Sequence, residues 1–217
     1  MNKTKLKILH SALKLFNEAG TIKIVIQKIA DEAEISIGNL TYHFKNKEAI
    51  IVGLFDIVSE DVDNIFLEMP LIPSEEEVVQ IELKLFKIQD KYRFMFLDTL
   101  SLIKVSPNIA CKFRENMEHQ INLIYTLMKL GVMMKTYKEE AYEGHFMQLS
   151  KVIWNLYFNR ITRAEVMNEN YGLIELGKDI WMVIQPYLTQ EGSVKYKAIL
   201  DIELKKLEQT NKESIDQ

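Results

Sequence analysis

Apolar residues recur at helical spacing along most of this chain. In the first segment Leu6, Leu9, Leu13 and Phe16 lie three or four positions apart, which is typical of an amphipathic α-helix. Extended along the chain, this spacing and the Gly and Pro positions predict helices over residues 4–19, 25–33, 37–44, 47–69, 74–89, 91–105, 107–134, 138–160, 169–188 and 193–209. The pattern therefore predicts an all-α protein of about nine or ten helices.

Residues with capping preferences stand at several of the predicted helix ends. Gly20 is placed to end the first helix. Ser36 is a candidate N-cap of the third helix and Asn46 of the fourth. Ser74, followed by Glu77, resembles a capping box. The first three helices have few apolar residues, so we expect the fourth to complete their core through its residues 50 and 51.

Composition agrees with a helical globular protein. Of 217 residues 47% are hydrophobic and 27% charged, with only 8 Gly and 4 Pro. No apolar run approaches the roughly 18 residues of a membrane span, and the N-terminus lacks the apolar core of a signal peptide. The single cysteine, Cys111, cannot form an internal disulfide. We therefore expect a cytoplasmic protein with no membrane partner.

Charge is distributed unevenly. The net charge is −4, but residues 1–47 hold eight Lys and Arg against four Asp and Glu, whereas the remaining residues hold 19 against 27. A basic N-terminal segment on an acidic body suits a DNA-reading module attached to a body with another task. The alternative from charge alone is an N-terminal helix that is simply rich in lysine.

The most informative stretch is residues 26–50, IQKIADEAEISIGNLTYHFKNKEAI. It predicts helix, tight turn, helix, and in a helix-turn-helix the second helix enters the major groove of DNA. Ala30 and Ala33 are small where two helices approach, and Ile35 can fill the gap between them. Gly38 lets backbone approach DNA closely. Hydrogen-bonding residues occupy the predicted exposed sides of the second helix, namely Asn39, Thr41, Tyr42 and His43.

This stretch, with the apolar first helix before it, resembles the TetR family of bacterial regulators over residues 6–55. Residues 91–113, KYRFMFLDTLSLIKVSPNIACKF, are also similar to one group of TetR C-terminal domains. The resemblance implies a three-helix DNA-binding domain over residues 1–47 and a helical effector-binding and dimerisation domain over residues 48–209. Residues 210–217 are then a polar tail.

The resemblance also implies which residues meet DNA. It places 36–39 at the start of the recognition helix, with phosphate contacts from 27, 42, 43 and 47. With Thr41, the predicted contacts are Gln27, Ser36, Ile37, Gly38, Asn39, Thr41, Tyr42, His43 and Lys47. The alternative for Tyr42, His43 and Lys47 is an ordinary solvated face.

The chain departs from the family pattern at three positions. Glu34 replaces a turn glycine, so either it adopts a positive φ or the turn differs. Val25 replaces a Ser or Thr cap, which weakens the start of the second helix. Thr41 replaces a frequent tyrosine. These departures bear on individual DNA contacts and leave the overall pattern in place.

Aromatic and methionine side chains are concentrated in the C-terminal region. Such residues can line an adaptable apolar pocket, and they also fill ordinary helical cores. With the resemblance, the hypothesis is a pocket for a lipophilic small-molecule effector, lined by Phe94, Asp98, Met117, Tyr125, Met128, Trp154 and Phe158.

Segments 138–160 and 169–188 are the predicted dimerisation helices, by their apolar content and their order in the family. The predicted interface is a four-helix contact between two subunits. Its residues are Val152, Ile153, Leu156, Leu173, Leu176, Ile180 and Ile184. The alternative is that the same residues pack inside one subunit.

Motifs of catalysis are missing from the sequence: we find no Gly-rich phosphate loop, nucleophile motif, paired carboxylates or metal-ligand spacing. We therefore expect no enzyme, no cofactor and no metal. The predicted function is a homodimeric repressor that binds a pseudo-palindromic DNA operator and is released by an effector, with the fourth helix carrying the signal. The alternatives are a helical ligand-binding protein or enzyme without specific DNA binding, and a regulator that acts through protein contacts.

Overall fold

Eleven α-helices make up most of the computed structural model, which describes residues 2–70, 73–169 and 172–215. They are α1 (Lys3–Ala19), α2 (Ile26–Glu32), α3 (Ile37–His43), α4 (Lys47–Leu67), α5 (Glu75–Lys91), α6 (Phe94–Leu97), α7 (Thr99–Val105), α8 (Pro107–Met133), α9 (His145–Met167), α10 (Leu173–Ile184) and α11 (Gln190–Ile215). Within the described residues the only β pairing is an isolated bridge between Tyr137 and Leu188. The all-α prediction is confirmed.

Three of the helix ends follow the signals in the sequence. Gly20 ends α1 with φ 76°, a backbone conformation that glycine adopts readily. The Asn46 side chain accepts a hydrogen bond from the backbone N–H of Ala49 at 2.9 Å and caps α4. Ser74 and Glu77 form the reciprocal capping box at the start of α5. The hydrogen bonds from Ser74 also lower the pKa of Glu77.

The prediction of one helix over residues 91–105 is wrong. The segment is broken at Asp98 into α6 and α7. The Asp98 carboxylate accepts hydrogen bonds from the backbone N–H of Thr21 at 2.5 Å and from the Thr21 hydroxyl at 2.7 Å. Asp98 therefore fastens this region to the loop after α1, which is a long-range demand that local helix propensity does not reveal.

The predicted start of the helix over residues 138–160 is also wrong, because α9 begins only at His145. Gly144 precedes α9 with φ 82°, and the Glu140 carboxylate accepts a hydrogen bond from the backbone N–H of Phe146 at 2.9 Å. Glu140 thus serves as a cap from outside the helix, although its residue type favours a helix interior. The later segment 169–188 ends as an α-helix at Ile184 and continues as one 3₁₀ turn.

The chain forms two compact units, and their boundaries fall within helices. The first unit comprises Met1–Asn64 and Ile88–Met117. Its core includes Ile50 and Ile51 of α4, as expected, together with Ile8, Leu9, Ala12, Phe16, Ile29, Ala30 and Leu40 of the first three helices. The predicted domain limits, 1–47 and 48–209, remain a prediction.

The second unit comprises Ile65–Lys87 and Glu118–Gln217. Its core is one continuous cluster in which buried side chains of α5, α9, α10 and α11 meet. Leu176 and Ile184 of α10 are among its most buried members, at 0% and 1% exposure. None of the described helices combines the length and the apolar character that a membrane crossing requires.

Candidate functional site

The turn between α2 and α3 adopts a tight, left-handed step. Glu34 has φ 50°, so this residue adopts the positive φ that was one of the two possibilities stated from the sequence. The backbone N–H of Ile35 donates to the carbonyl oxygen of Ala30 at 3.0 Å and closes the turn. An ion pair of 2.9 Å joins Lys7 to the Glu34 carboxylate and lowers the pKa of Glu34. Val25 makes no side-chain cap for α2, as the sequence indicated.

Helix α3 buries one side and exposes the other. Leu40 is fully buried and Phe44, directly after the helix, is 9% exposed. The Ser36 hydroxyl accepts a hydrogen bond from the backbone N–H of Asn39 at 3.1 Å, so the predicted N-cap is confirmed. α3 is therefore anchored through its apolar side and its first turn.

The exposed side of α3 carries the residues predicted to meet DNA. Gln27 of α2 and Ser36, Ile37, Gly38, Asn39, Thr41 and Tyr42 are exposed, and His43 is half-buried. Tyr42 is 84% exposed, and its ring meets that of His43 edge-to-face at 5.1 Å. A Cβ added to Gly38 would meet only the Ser36 hydroxyl oxygen, at 4.0 Å. Internal packing therefore does not require glycine at 38.

Lys47 has partners within its own unit. Its ammonium nitrogen donates to the backbone carbonyl oxygens of Thr21 at 2.9 Å and Ile24 at 3.1 Å. These bonds use two of the three ammonium donors and hold the half-buried side chain at the first turn of α4. The predicted contact from Lys47 to a DNA phosphate remains a prediction, and only one donor is left for it.

Some of the basic charge near α3 is neutralised locally. Lys14 pairs with Glu32 at 2.7 Å, in addition to the ion pair from Lys7. Lys23, Lys28 and Lys45 are exposed. α3 thus has a polar, hydrogen-bonding side that is flanked by ammonium groups. This is the geometry that an element entering a DNA groove needs.

Two family models match the chain. The model described as bacterial regulatory proteins, tetR family, matches residues 8–54. The model described as bacterial transcriptional repressor matches residues 60–196, which is more than half of the chain. The chain belongs to the TetR family.

Solved structures of transcriptional regulators have the same fold. A TetR-family transcriptional regulator from Marinobacter aquaeolei VT8 is similar with a TM-score of 0.80 and 27% identity, covering 93% of this chain and 98% of that one. A transcriptional regulator from Saccharomonospora viridis, solved in complex with choline, is similar with a TM-score of 0.73 and 14% identity, covering 88% of this chain and 100% of that one.

A curated relative is similar over a shorter region. The probable HTH-type transcriptional regulator YttP of Bacillus subtilis is 24% identical over 94 residues, which are 42% of this chain and 45% of that protein. The match thus spans less than half the length of this relative. The family and these similar proteins are transcriptional regulators rather than enzymes.

The second unit contains a small cavity of about 30 Å³, partly open to solvent. Helices α5, α8, α9 and α10 and the segment after α8 supply its walls. The lining residues are Val78, Glu82, Leu85, Ile124, Leu127, Met128, Tyr137, Ile153, Tyr157, Ile180 and Ile184. In the part of the chain that the structure describes, Glu82 is the only acidic residue on the wall, and no Lys, Arg or His lines it.

The Glu82 carboxylate accepts a hydrogen bond from the Tyr196 hydroxyl at 2.5 Å. Burial raises the pKa of Glu82 to about 7, against the lowering effect of that hydrogen bond. Burial also raises the pKa of Tyr137, Tyr157 and Tyr196, and the charge of Glu82 adds to the increase. One carboxyl group thus lies among three tyrosines.

The wall that contains Tyr137 is held by backbone hydrogen bonds. The N–H of Tyr137 donates to the carbonyl oxygen of Gly131 at 3.0 Å, and the N–H of Thr189 donates to that of Thr136 at 2.9 Å. Gly131 is also a packing requirement, because a Cβ there would lie 2.4 Å from Cδ2 of the Tyr137 ring. Tyr137 is therefore fixed by main chain on one side and by a glycine on the other.

The seven residues of the predicted pocket are divided between the two units. Met128 lines the cavity. Phe94 packs against Phe16 in the first unit, and Asp98 binds Thr21. The remaining four are elsewhere in the helical packing: half-buried Met117 and Tyr125, and Trp154 with its stacked neighbour Phe158.

Sequence reasoning missed Glu82, although a signal was present. Glu82 follows Val78 and Val79 and precedes Leu85 and Phe86 at helical spacing, so it is an acidic residue within the apolar stripe of α5. A charged residue on the buried side of a helix needs a partner or a function. The tyrosines that surround it come from distant segments and could not be assigned to it from spacing.

The predicted dimer residues divide into two groups. Val152 is 49% exposed, and Leu156 and Leu173 are half-buried. The other four are buried in the core of the second unit, namely Ile153, Leu176, Ile180 and Ile184. Those four pack inside one subunit, which was the alternative interpretation, and the assignment of the dimer interface to these helices remains a prediction.

Proposed function

We propose that this TetR-family protein is a homodimeric repressor that binds a pseudo-palindromic operator and is released by a small-molecule effector. The observation that supports it most directly is the exposed polar side of α3. Leu40 and Phe44 hold the helix from behind while Asn39 and Tyr42 extend into solvent. Two such helices related by a twofold axis would enter successive major grooves about 34–36 Å apart.

Phosphate contacts would supply most of the affinity and fix the register. Tyr42, His43 and the remaining donor of Lys47 are the groups we assign to phosphates, and residues 36–39 are those we assign to the bases and the groove floor. Open space at Gly38 supports a close approach of backbone to DNA, because no packing within the chain explains the glycine.

The proposed dimer interface uses exposed apolar side chains of α9 and α10. Val152 is 49% exposed and Met182 is 69% exposed. Leu156 and Leu173 are half-buried and would complete their burial against a second copy. Isologous contacts of this kind give the twofold symmetry that a pseudo-palindromic operator requires.

An effector would act by binding the DNA-bound and free states with different affinity. α4 is one helix with residues in both units, so a change around its second part can be transmitted along the chain to the first. The complex of the Saccharomonospora viridis regulator with choline is a precedent for a small molecule bound by this fold. We assign no enzymatic activity to the protein, and a repressor of chromosomal genes would act in the cytoplasm.

The experiment is a gel shift and anisotropy titration with the intergenic DNA next to the gene. We expect a specific complex that scrambled DNA of equal length does not form. Tyr42→Ala should weaken it, whereas Tyr142→Ala should not, because Tyr142 is an exposed tyrosine of the other unit. Equal affinity for intergenic and scrambled DNA would contradict the proposal.

Salt dependence tests Lys47 separately. If its ammonium group contacts a phosphate in each subunit, Lys47→Ala should flatten the slope of log K against log salt by about one unit per contact. Because Lys47 also binds two carbonyl oxygens, helical content and melting temperature must be measured on the same variant. An unchanged slope removes Lys47 from the contacts and leaves its role in holding α4.

A further inference from the structure

We propose that the effector is a primary organic amine, whose ammonium group enters the cavity of the second unit and binds the Glu82 carboxylate. The inference rests on the proposed function, since it names the ligand that releases the repressor. The charge, the size and the aromatic walls of the cavity support an amine as the ligand.

The surroundings of Glu82 favour a cationic ligand. Its carboxylate receives one hydrogen bond, from Tyr196, and the rest of the cavity wall is apolar or aromatic. Among the described lining residues none is basic, so the protein provides no counter-ion at this wall. A carboxylate in such surroundings is costly unless a cation or a proton neutralises it. The raised pKa of Glu82 expresses the same cost.

The size of the cavity selects a small head group. A volume of about 30 Å³ holds a few atoms, since one water needs roughly 10–15 Å³ on a comparable measure. A primary ammonium group is about as large as a methyl group, whereas a quaternary ammonium group carries three methyl groups more. The cavity therefore favours –NH₃⁺, with its attached chain directed to the open side.

The walls suit both ends of such a ligand. Tyr137 and Tyr157 line the cavity, and tyrosine side chains have aromatic and hydroxyl groups that can bind a cation. Ile124, Leu127 and Met128 offer aliphatic and thioether surface to an alkyl chain. A carboxylic acid ligand would instead bring a second negative charge to Glu82, and a neutral alcohol would leave its charge unbalanced.

The test compares three probes of equal chain length: hexylamine, hexanol and hexanoate. Binding to the full chain without DNA is measured by isothermal titration calorimetry. We expect hexylamine to bind at least tenfold more tightly than hexanol, and hexanoate not to bind. Equal binding of the amine and the alcohol, or no binding of the amine, would overturn the proposal.

Two variants locate the site. Glu82→Gln should abolish the preference for hexylamine, while Glu76→Gln, the same change at an exposed position of α5, should keep it. The titratable groups at the site are Glu82 and its tyrosine neighbours, so binding below pH 7 should release a proton from Glu82. Heats in buffers of different ionisation enthalpy should show this release for the wild type and Glu76→Gln, and not for Glu82→Gln. Retained preference in Glu82→Gln would refute the assignment of Glu82.

A DNA-binding measurement with hexylamine tests whether amine binding at Glu82 also regulates the repressor. Hexylamine should weaken the complex with operator DNA in the wild type and not in Glu82→Gln. Amine binding that leaves DNA affinity unchanged would keep the cation site and overturn its role as effector site. If the protein forms no specific DNA complex, the proposed function fails while calorimetry still decides whether the amine binds.

Discussion

Replacement of Glu82 by glutamine should change how the stability of the protein depends on pH. The carboxyl group has an ordinary pKa of 4.5 and is raised to about 7 by burial in the folded chain. Glutamine has a similar shape, can still accept the hydrogen bond from the Tyr196 hydroxyl and never ionises. The substitution therefore isolates the effect of the charge.

The sign of the change in unfolding free energy with pH depends on whether the folded or the unfolded chain holds the proton of Glu82. Below pH 4.5 the carboxyl group is neutral in both states and contributes nothing. Between pH 4.5 and 7 the unfolded chain loses the proton that the folded chain keeps, so the free energy of unfolding falls as pH rises. At 1.36 kcal/mol per unit the full loss is about 3 kcal/mol above pH 7. This figure is an upper bound, since the Glu82 residue is only half-buried.

The assay is urea denaturation followed by circular dichroism at pH 5 and pH 8. Both proteins are compared at one concentration, because dimerisation contributes to stability. The wild type should lose more stability than Glu82→Gln between the two pH values, by about 2–3 kcal/mol. Glu76→Gln should follow the wild type, since position 76 is exposed.

Parallel curves for the wild type and Glu82→Gln would refute this reasoning. They would mean that the Glu82 carboxyl group ionises at the same pH in both states, so that the cavity does not penalise its charge. Lower stability of Glu82→Gln than of the wild type at pH 8 would also refute the reasoning, because removal of a buried charge should stabilise the folded chain at that pH.

Three further predictions concern local backbone and packing. Ser36→Ala removes the N-cap of α3 and should lower stability by about 1 kcal/mol in urea denaturation, with Ser36→Asp restoring it. Glu34→Gly should melt about 3 °C above Glu34→Ala in thermal scans, because glycine adopts the φ of 50° at this position more readily; equal melting would exclude strain. Gly131→Ala should lower the melting temperature, because the added Cβ pushes on the Tyr137 ring. Gly38→Ala should keep the melting temperature and weaken DNA binding. A lower melting temperature for Gly38→Ala than for Gly131→Ala, or weaker DNA binding by Gly131→Ala than by Gly38→Ala, would contradict these expectations.

The helices were predictable wherever local signals determine them. Gly20 and Asn46 mark helix ends through their own backbone and side chain, and the structure uses both as the sequence indicates. The failures occur where distant residues decide. Asp98 breaks a helix because it binds Thr21, 77 positions away, and Glu140 caps α9 from the preceding loop. Neither partner can be identified from helix propensity.

The two candidate sites also differ in whether local or distant residues form them. The surface of α3 is a single short segment, so alternation between buried Leu40 and its exposed neighbours can be deduced from spacing alone. The cavity is assembled from four helices and a loop, and residue type alone pointed to Phe94, Trp154 and other aromatic residues that are used in packing. Composition could not single out the residues that line this cavity, because large side chains fill helical cores far more often than they line cavities.

The two sides of the cavity differ in how well they tolerate substitution. A Cβ at position 131 would lie 2.4 Å from Cδ2 of the Tyr137 ring, so any larger residue there has to displace the ring. Leu85 and Met128 contribute side chains to the cavity wall from α5 and α8, and the Met128 sulfur accepts a hydrogen bond from the Ser150 hydroxyl at 3.8 Å. If the cavity binds an effector, exchange of Leu85 would alter its lining without removing a side-chain hydrogen bond, whereas a larger residue at position 131 would first displace Tyr137.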